Sequence, residues 1–186
     1  NLVAGVEVTN AATFSWATSG DGTFTANNIL NPVYIPGSLD IEGPGPVTLT
    51  LTVLGDNSCD LNQSDSVEVS ITKNAIADAG SDLAICEDGI TIVDATADHF
   101  SILNWVALDG TGTITNSTTI TPTYVPSPGD ISQGFVTLQL TASPINPCST
   151  TAVSEKILTI SSFPDVNAGA DAIICEGEDY TITGAT

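Results

Sequence analysis

Ala79-Gly80-Ser81-Asp82-Leu83-Ala84-Ile85-Cys86-Glu87 returns as Ala168-Gly169-Ala170-Asp171-Ala172-Ile173-Ile174-Cys175-Glu176, 89 positions later. The same shift of 89 carries Trp16 onto Trp105 and Cys59 onto Cys148. It also carries Val47-Thr48-Leu49-Thr50-Leu51-Thr52 onto Val136-Thr137-Leu138-Gln139-Leu140-Thr141. Asn31-Pro32-Val33-Tyr34-Ile35-Pro36 answers Thr121-Pro122-Thr123-Tyr124-Val125-Pro126 at a shift of 90, so one residue is gained before this segment and lost after it. Loops tolerate such a change. So many landmarks in one order mean a tandem repeat.

A period of this length is too long for a solenoid and suits a whole small domain. The chain therefore reads as one unit over 1–74 that lacks its first strand, a complete unit over 75–162, and the start of a third over 163–186. It begins without Met and breaks off in mid-pattern, so it reads as an internal piece of a longer protein.

The second unit shows how each repeat is built. Leu83–Cys86 forms a first strand, Glu87-Asp88-Gly89 a turn and Ile90–Asp94 a second strand, after which 95–101 loops over. Ile102–Leu108 carries Trp105, and Asp109-Gly110 turns into Thr113–Thr115. Thr121–Val125 is read as an edge strand because Pro122 and Pro126 bound it. Phe135–Ala142 alternates apolar and polar residues, as a half-buried antiparallel strand does, and Val153–Ile160 closes the unit. About seven short strands separated by turns predict an all-β sandwich. No stretch carries a helical period. Trp16, Trp105, Tyr34 and Tyr124 are expected in the cores.

The chain has 186 residues, with 22 acidic residues against two basic ones, Lys73 and Lys156, and a formal charge of −20. That excludes nucleic acid as a partner, since phosphate binding needs clustered Lys and Arg. It also disfavours an anionic membrane surface. At 41 % hydrophobic residues, rich in Val, Ile and Leu, the chain can build a core and is not a disordered acidic tail.

Cys59, Cys86, Cys148 and Cys175 form no Cys-x-x-Cys, and the single His99 has no cysteine near it in sequence. Zinc is therefore not indicated, and disulfides in an exported protein fit better. The simplest pairing joins Cys86 to Cys148, closing a loop of about 60 residues worth roughly 4 kcal/mol. Cys59 and Cys175 would then pair with cysteines outside the chain. The alternative is a staggered bond between neighbouring units, because in an immunoglobulin-like path the two cysteines lie at opposite ends. Acidic residues gather near the unit starts, with Asp78 and Asp82 in one group and Asp165 and Asp171 in the next. Calcium is the cofactor such carboxylates suggest, although no EF-hand spacing is present. No pair of carboxylates is marked out for acid–base work, and one histidine with scattered serines makes no triad, so the chain is not expected to be an enzyme.

Several motifs resemble polycystic-kidney-disease (PKD) domains. Trp16-Ala17-Thr18-Ser19-Gly20-Asp21-Gly22 resembles their Trp-Asp-Phe-Gly-Asp-Gly segment, and Ala79-Gly80-Ser81-Asp82 followed by Ile90–Thr96 resembles their opening. Pro36-Gly37 ahead of Val47–Val53 is similar to their Pro-Gly…Val-Thr-Leu-Thr-Val pattern. The second unit departs with Leu108-Asp109-Gly110-Thr111-Gly112, and the two cysteines per unit are extra. The combination with an acidic, Arg-free chain is similar to repeats of giant surface adhesins of gliding Bacteroidetes, of the SprB type. That resemblance implies export by the type IX secretion system, the extracellular bacterial surface, and contact with outer-membrane gliding and secretion machinery. It further implies a surface polysaccharide or substratum as partner. Asp65-Ser66-Val67 looks like a Bacteroidetes O-glycosylation signal at Ser66. The other reading is a carbohydrate-binding or passive spacer module of a secreted multidomain hydrolase.

Overall fold

The computed structural model describes residues 11–55 and 61–186, with side chains from residue 13 onward. The chain divides into two compact units. Asn1–Lys73 group with Asn146–Cys148, and Asn74–Ile145 group with Ser149–Thr186.

In the first unit, β1 (Ala11–Thr18), β2 (Thr23–Phe24) and β3 (Tyr34–Ile35) precede a single helical turn, α1 (Ser38–Glu42). β4 (Val47–Gly55) and β5 (Asn62–Val69) follow. One antiparallel sheet has the order β1-β4-β5, and β2 pairs with β3. The period-2 pattern of β4 turns Val47, Leu49 and Leu51 inward against Trp16, with Phe24 and Tyr34 packed beside them.

The second unit contains β6 (Ile76–Asp78), β7 (Leu83–Cys86), β8 (Ile90–Thr91), β9 (Thr96–Asp98) and β10 (Phe100–Ala107). β11 (Thr113–Thr115), β12 (Thr123–Val125), a second helical turn α2 (Pro128–Gln133), β13 (Phe135–Pro144) and β14 (Ala152–Ser161) complete it. One sheet has the order β10-β13-β14-β7 and the other β11-β12-β8, while β6 pairs with β9. The last strand, β14, runs parallel to the first strand of the sheet, β7, and places Ser161 opposite Cys86. Trp105, Tyr124, Ile85, Ile92, Leu138 and Leu158 belong to the core between the sheets. The molecule is all-β, with the sandwich written twice.

Fine detail repeats as well. β1 slips register between Ala11 and Thr13, and β10 slips between Phe100 and Ile102, the counterpart positions. Trp16 N–H donates to Asn27 O and Trp105 N–H to Ser117 O. Within 163–186, Asn167 and Thr186 exchange both backbone hydrogen bonds. This matches Asp78 opposite Thr96 in the β6–β9 pair.

Some expectations need correction. β12 is the centre of its sheet and not an edge. Pro122 and Pro126 flank the strand, so no ladder N–H is lost from within it. Residues 95–101 are not a plain loop, because Thr96–Asp98 pair with β6. The two helical turns carry no period because they are too short to show one, and capping alone defines them.

Candidate functional site

The most elaborate polar arrangement is built around one aspartate in each unit, and it recurs with the repeat. Asp130 sits in the first turn of α2 and is 3 % exposed. Its Oδ2 accepts from Tyr124 Oη at 2.7 Å and from Ser127 N–H at 2.8 Å, and its Oδ1 accepts from Thr111 N–H at 2.9 Å. In the first unit Asp40 Oδ2 accepts from Tyr34 Oη at 2.5 Å and from Gly37 N–H at 2.9 Å, and Oδ1 from Asp21 N–H at 3.0 Å. One carboxylate thus ties the tyrosine strand, a helical turn and the tight turn after the Trp strand.

Burial alone would raise the Asp130 acid. Hydrogen bonds from Ser127, Tyr124 and Thr111 outweigh that and hold it at about 2. Burial, and then the Asp130 carboxylate, raise the Tyr124 phenol. At neutral pH the aspartate stays ionised and the tyrosine stays neutral, far from the range a general acid or base needs. The geometry fixes loops in place.

The capping differs between the units in a compensating way. Ser127 Oγ accepts from Asp130 N–H at the start of α2 and meets Thr111 Oγ1 at 2.8 Å. Gly37 has no side chain for this task. Asp21, the counterpart of Thr111, instead accepts from Leu39 N–H and Asp40 N–H, each at 3.1 Å. A Cβ on Gly37 would lie 2.1 Å from Asp21 Oδ1, so the carboxylate fills the space of the missing hydroxyl.

The second unit holds one further buried charge. Lys156 is 1 % exposed on the inward face of β14, and its Nζ meets Asp94 Oδ1 at 2.5 Å. The Lys156 ammonium is the first cause of a lowered Asp94 acid. Asp94 Oδ2 also accepts from Ser81 N–H at 3.0 Å, tying the segment before β7 to β14.

The sequence-derived candidates fall as follows. Trp16, Trp105 and Tyr124 are buried, and Tyr34 is half-buried. Trp105 Nε1 donates to Thr119 O at 3.1 Å, whereas Trp16 Nε1 is buried and meets no partner among the described residues. A shallow depression of about 440 Å³ lies beside Trp16, Thr18, Phe24 and Asn27. Trp16 is only 6 % exposed and does not offer an open ring face to a sugar. Asp78 Oδ1 accepts from Gly80 N–H and Asp82 Oδ1 from Ile157 N–H. Asp165 and Asp171 are exposed. Among the described residues no three His, Cys, Asp or Glu side chains come together as a metal site. Ser66 is exposed on β5. Cys59 lies outside the described residues.

The Cys86–Cys148 pairing is corrected: Cys86, Cys148 and Cys175 are all free thiols. Cys86 lies beside Ser161, where β7 runs parallel to β14.

Asp40, Asp130, Lys156 and Asp94 were not singled out by the sequence reading. Tyr-x-Pro-x-x-x-Asp, present at 34–40 and at 124–130, was the available signal.

The described strands define tandem β-sandwich repeats. No protein-family model matches the chain, and no curated protein matches it. Solved structures similar to it include mouse cadherin-23 EC22-24, at 15 % identity and a TM-score of 0.46, covering 83 % of this chain and 56 % of that one. Protocadherin gamma B7 extracellular cadherin domains 1-4 match at 12 % identity and a TM-score of 0.47, covering 88 % of this chain and 46 % of that one. Drosophila N-cadherin EC1-4 matches at 15 % identity and a TM-score of 0.45, covering 80 % and 40 %. The chain thus spans about half the length of these structures.

Proposed function

We propose that this chain is a structural and adhesive segment of a large secreted surface filament, of the kind that gliding bacteria export by the type IX route. The observation that carries the reading is the double writing of one sandwich. The Trp core and the register slip recur at a shift of 89 and the Tyr–Asp tie at a shift of 90. Repetition suits reach and many weak contacts, which gain strength through effective concentration. The charge of −20 keeps neighbouring filaments apart and favours a neutral polysaccharide or solid substratum over nucleic acid as partner. A spacer or carbohydrate-binding role beside a hydrolase is the second reading, favoured only by the depression next to Trp16.

Beads carrying the chain at high or low density, offered polysaccharide-coated surfaces, test this. The filament reading expects retention that rises steeply with density and no saturable binding by the isolated chain. Saturable binding of the isolated chain to one glycan, abolished by Phe24→Ala, would overturn it in favour of the carbohydrate module.

A further inference from the structure

The outward face of the sheet in the first unit is nearly neutral, in a chain that carries a charge of −20. Val47, Leu49 and Leu51 turn inward, so Thr48, Thr50 and Thr52 of β4 turn outward. Residues abreast in an antiparallel sheet share a face. Ala17, Thr50 and Ser66 form one row, and Ser15, Thr52 and Ser64 form the next. Thr48 stands beside Glu68, the one acid of these three rows, at the end of the face. Asp65 lies abreast of Leu51 and so belongs to the other side. Adjacent positions on the face are about 4.8 Å apart across strands and about 6.8 Å apart along them. The threonines of the central strand are half-buried, and the serines that flank them are exposed.

The second unit shows that such a face is open in the sandwich itself. Glu155 and Ile157 occupy it and are exposed, in a sheet where β14 has β7 beside it. There the polar groups satisfy one another. Thr137 Oγ1 donates to Asp109 Oδ2 at 2.8 Å, and Gln139 Nε2 donates to Glu155 Oε1 at 2.9 Å. Thr48, Thr50 and Ser66 are the counterparts of Thr137, Gln139 and Glu155 at the shift of 89. Their hydroxyls meet no partner among the described residues. The fold therefore does not require a neutral hydroxyl face at this place, and the first unit has one with its donors and acceptors unspent.

The chemistry of the face selects its partner. Hydroxyls both donate and accept, which fits a partner bearing neutral hydroxyl and ether oxygens. An anionic partner is repelled by the charge of the chain, and a cationic one finds a stronger hold on the acidic surfaces elsewhere. The face covers roughly 300 Å² at these strand spacings. A stable protein partner takes about 800 Å² from each side, so the face is too small for one. Its rows hold no aromatic ring, and each hydroxyl exchanges water for sugar at little net gain. Contact is weak at one unit and accumulates only when many chains engage together. We infer that this hydroxyl face is the surface by which the first unit rests on a neutral polysaccharide. The inference deepens the adhesive reading above and rests on it.

The test uses beads carrying the unglycosylated 186-residue chain at high density, offered cellulose, carboxymethyl cellulose and gelatin surfaces. Wild-type beads should hold to cellulose, and about tenfold less to its carboxymethylated form. Thr50→Gln combined with Ser66→Glu copies the Gln139–Glu155 pair, which the second unit already accommodates, and should lower retention on cellulose about tenfold. Gln63→Glu adds the same single charge abreast of Val53, on the opposite side of β5, and should leave retention unchanged. Undiminished retention of the double variant, or an equal loss in Gln63→Glu, would overturn the inference while leaving adhesion standing. So would wild-type retention on gelatin but not cellulose, which assigns a protein partner. Self-association seen by light scattering in the wild type and lost in the double variant would assign the face to a second copy and overturn it too. Wild-type beads held by none of the surfaces would overturn the adhesive reading, and this inference with it.

Discussion

Asp130→Asn is the sharpest probe of the tie that each unit repeats. The amide keeps the shape of the carboxylate and removes its charge. Three donors converge on Asp130, two on Oδ2 and one on Oδ1. An asparagine oxygen placed at Oδ2 can still accept from Tyr124 and Ser127. Its NH2 then faces Thr111 N–H, donor against donor. The folded acid sits at about 2. Against about 3.9 in an unfolded chain, that difference corresponds to about 2.5 kcal/mol of stability at neutral pH. The misdirected NH2 adds about 1 kcal/mol. A loss of about 3.5 kcal/mol should lower the melting point of a unit this size by roughly 15–25 °C. Because the folded pKa is depressed, the charge contribution is present above the unfolded value. It fades as pH falls from about 4 to about 2. The gap between wild type and variant should therefore be flat above pH ~4 and shrink to about 1 kcal/mol near pH ~2. Urea unfolding followed by Trp105 fluorescence, in a Trp16→Phe background, isolates the second unit. Equal midpoints for the two proteins, or a gap that ignores acid, would refute the reasoning.

Three further outcomes can be checked by the same denaturation. Gly37→Ser should cost about 1–2 kcal/mol through collision with Asp21, and Asp21→Thr added to it should restore most of that, since it copies the second unit's cap. Asp94→Ala should cost about 2 kcal/mol by leaving the Lys156 ammonium buried and unpaired, whereas Lys156→Met should be near neutral. Gly112→Ala should cost about 2 kcal/mol, because its Cβ would lie 2.5 Å from Tyr124 Oη, while Gly45→Ala, with nothing within 4 Å, should be silent.

Legibility followed the reach of local pattern. The alternation of Val136, Leu138, Leu140 and Ala142 announced a half-buried strand, and the structure buries those four residues. The repeat placed Trp16 and Trp105 alike because the same apolar neighbours return around each. What failed depended on which strands meet across the sandwich. Nothing local says that β14 lies parallel to β7 and brings Ser161 beside Cys86. Lys156 follows the inward period of Leu158 and Ile160, but its charge masked that position. Asp40 and Asp130 looked like two more acids in an acidic chain. Only their constant distance from Tyr34 and Tyr124 distinguished them, and that spacing matters once a helical turn folds back onto the tyrosine.

The parallel pairing of β7 with β14 has a mechanical consequence. The first and last strands of that sheet lie side by side and run the same way, with Leu83–Cys86 matched to Leu158–Ser161. A load applied at the two ends of the unit drags these strands past each other in opposite senses along their length. Their hydrogen bonds are then sheared together instead of being unzipped one at a time, and the unit yields only when the whole patch lets go.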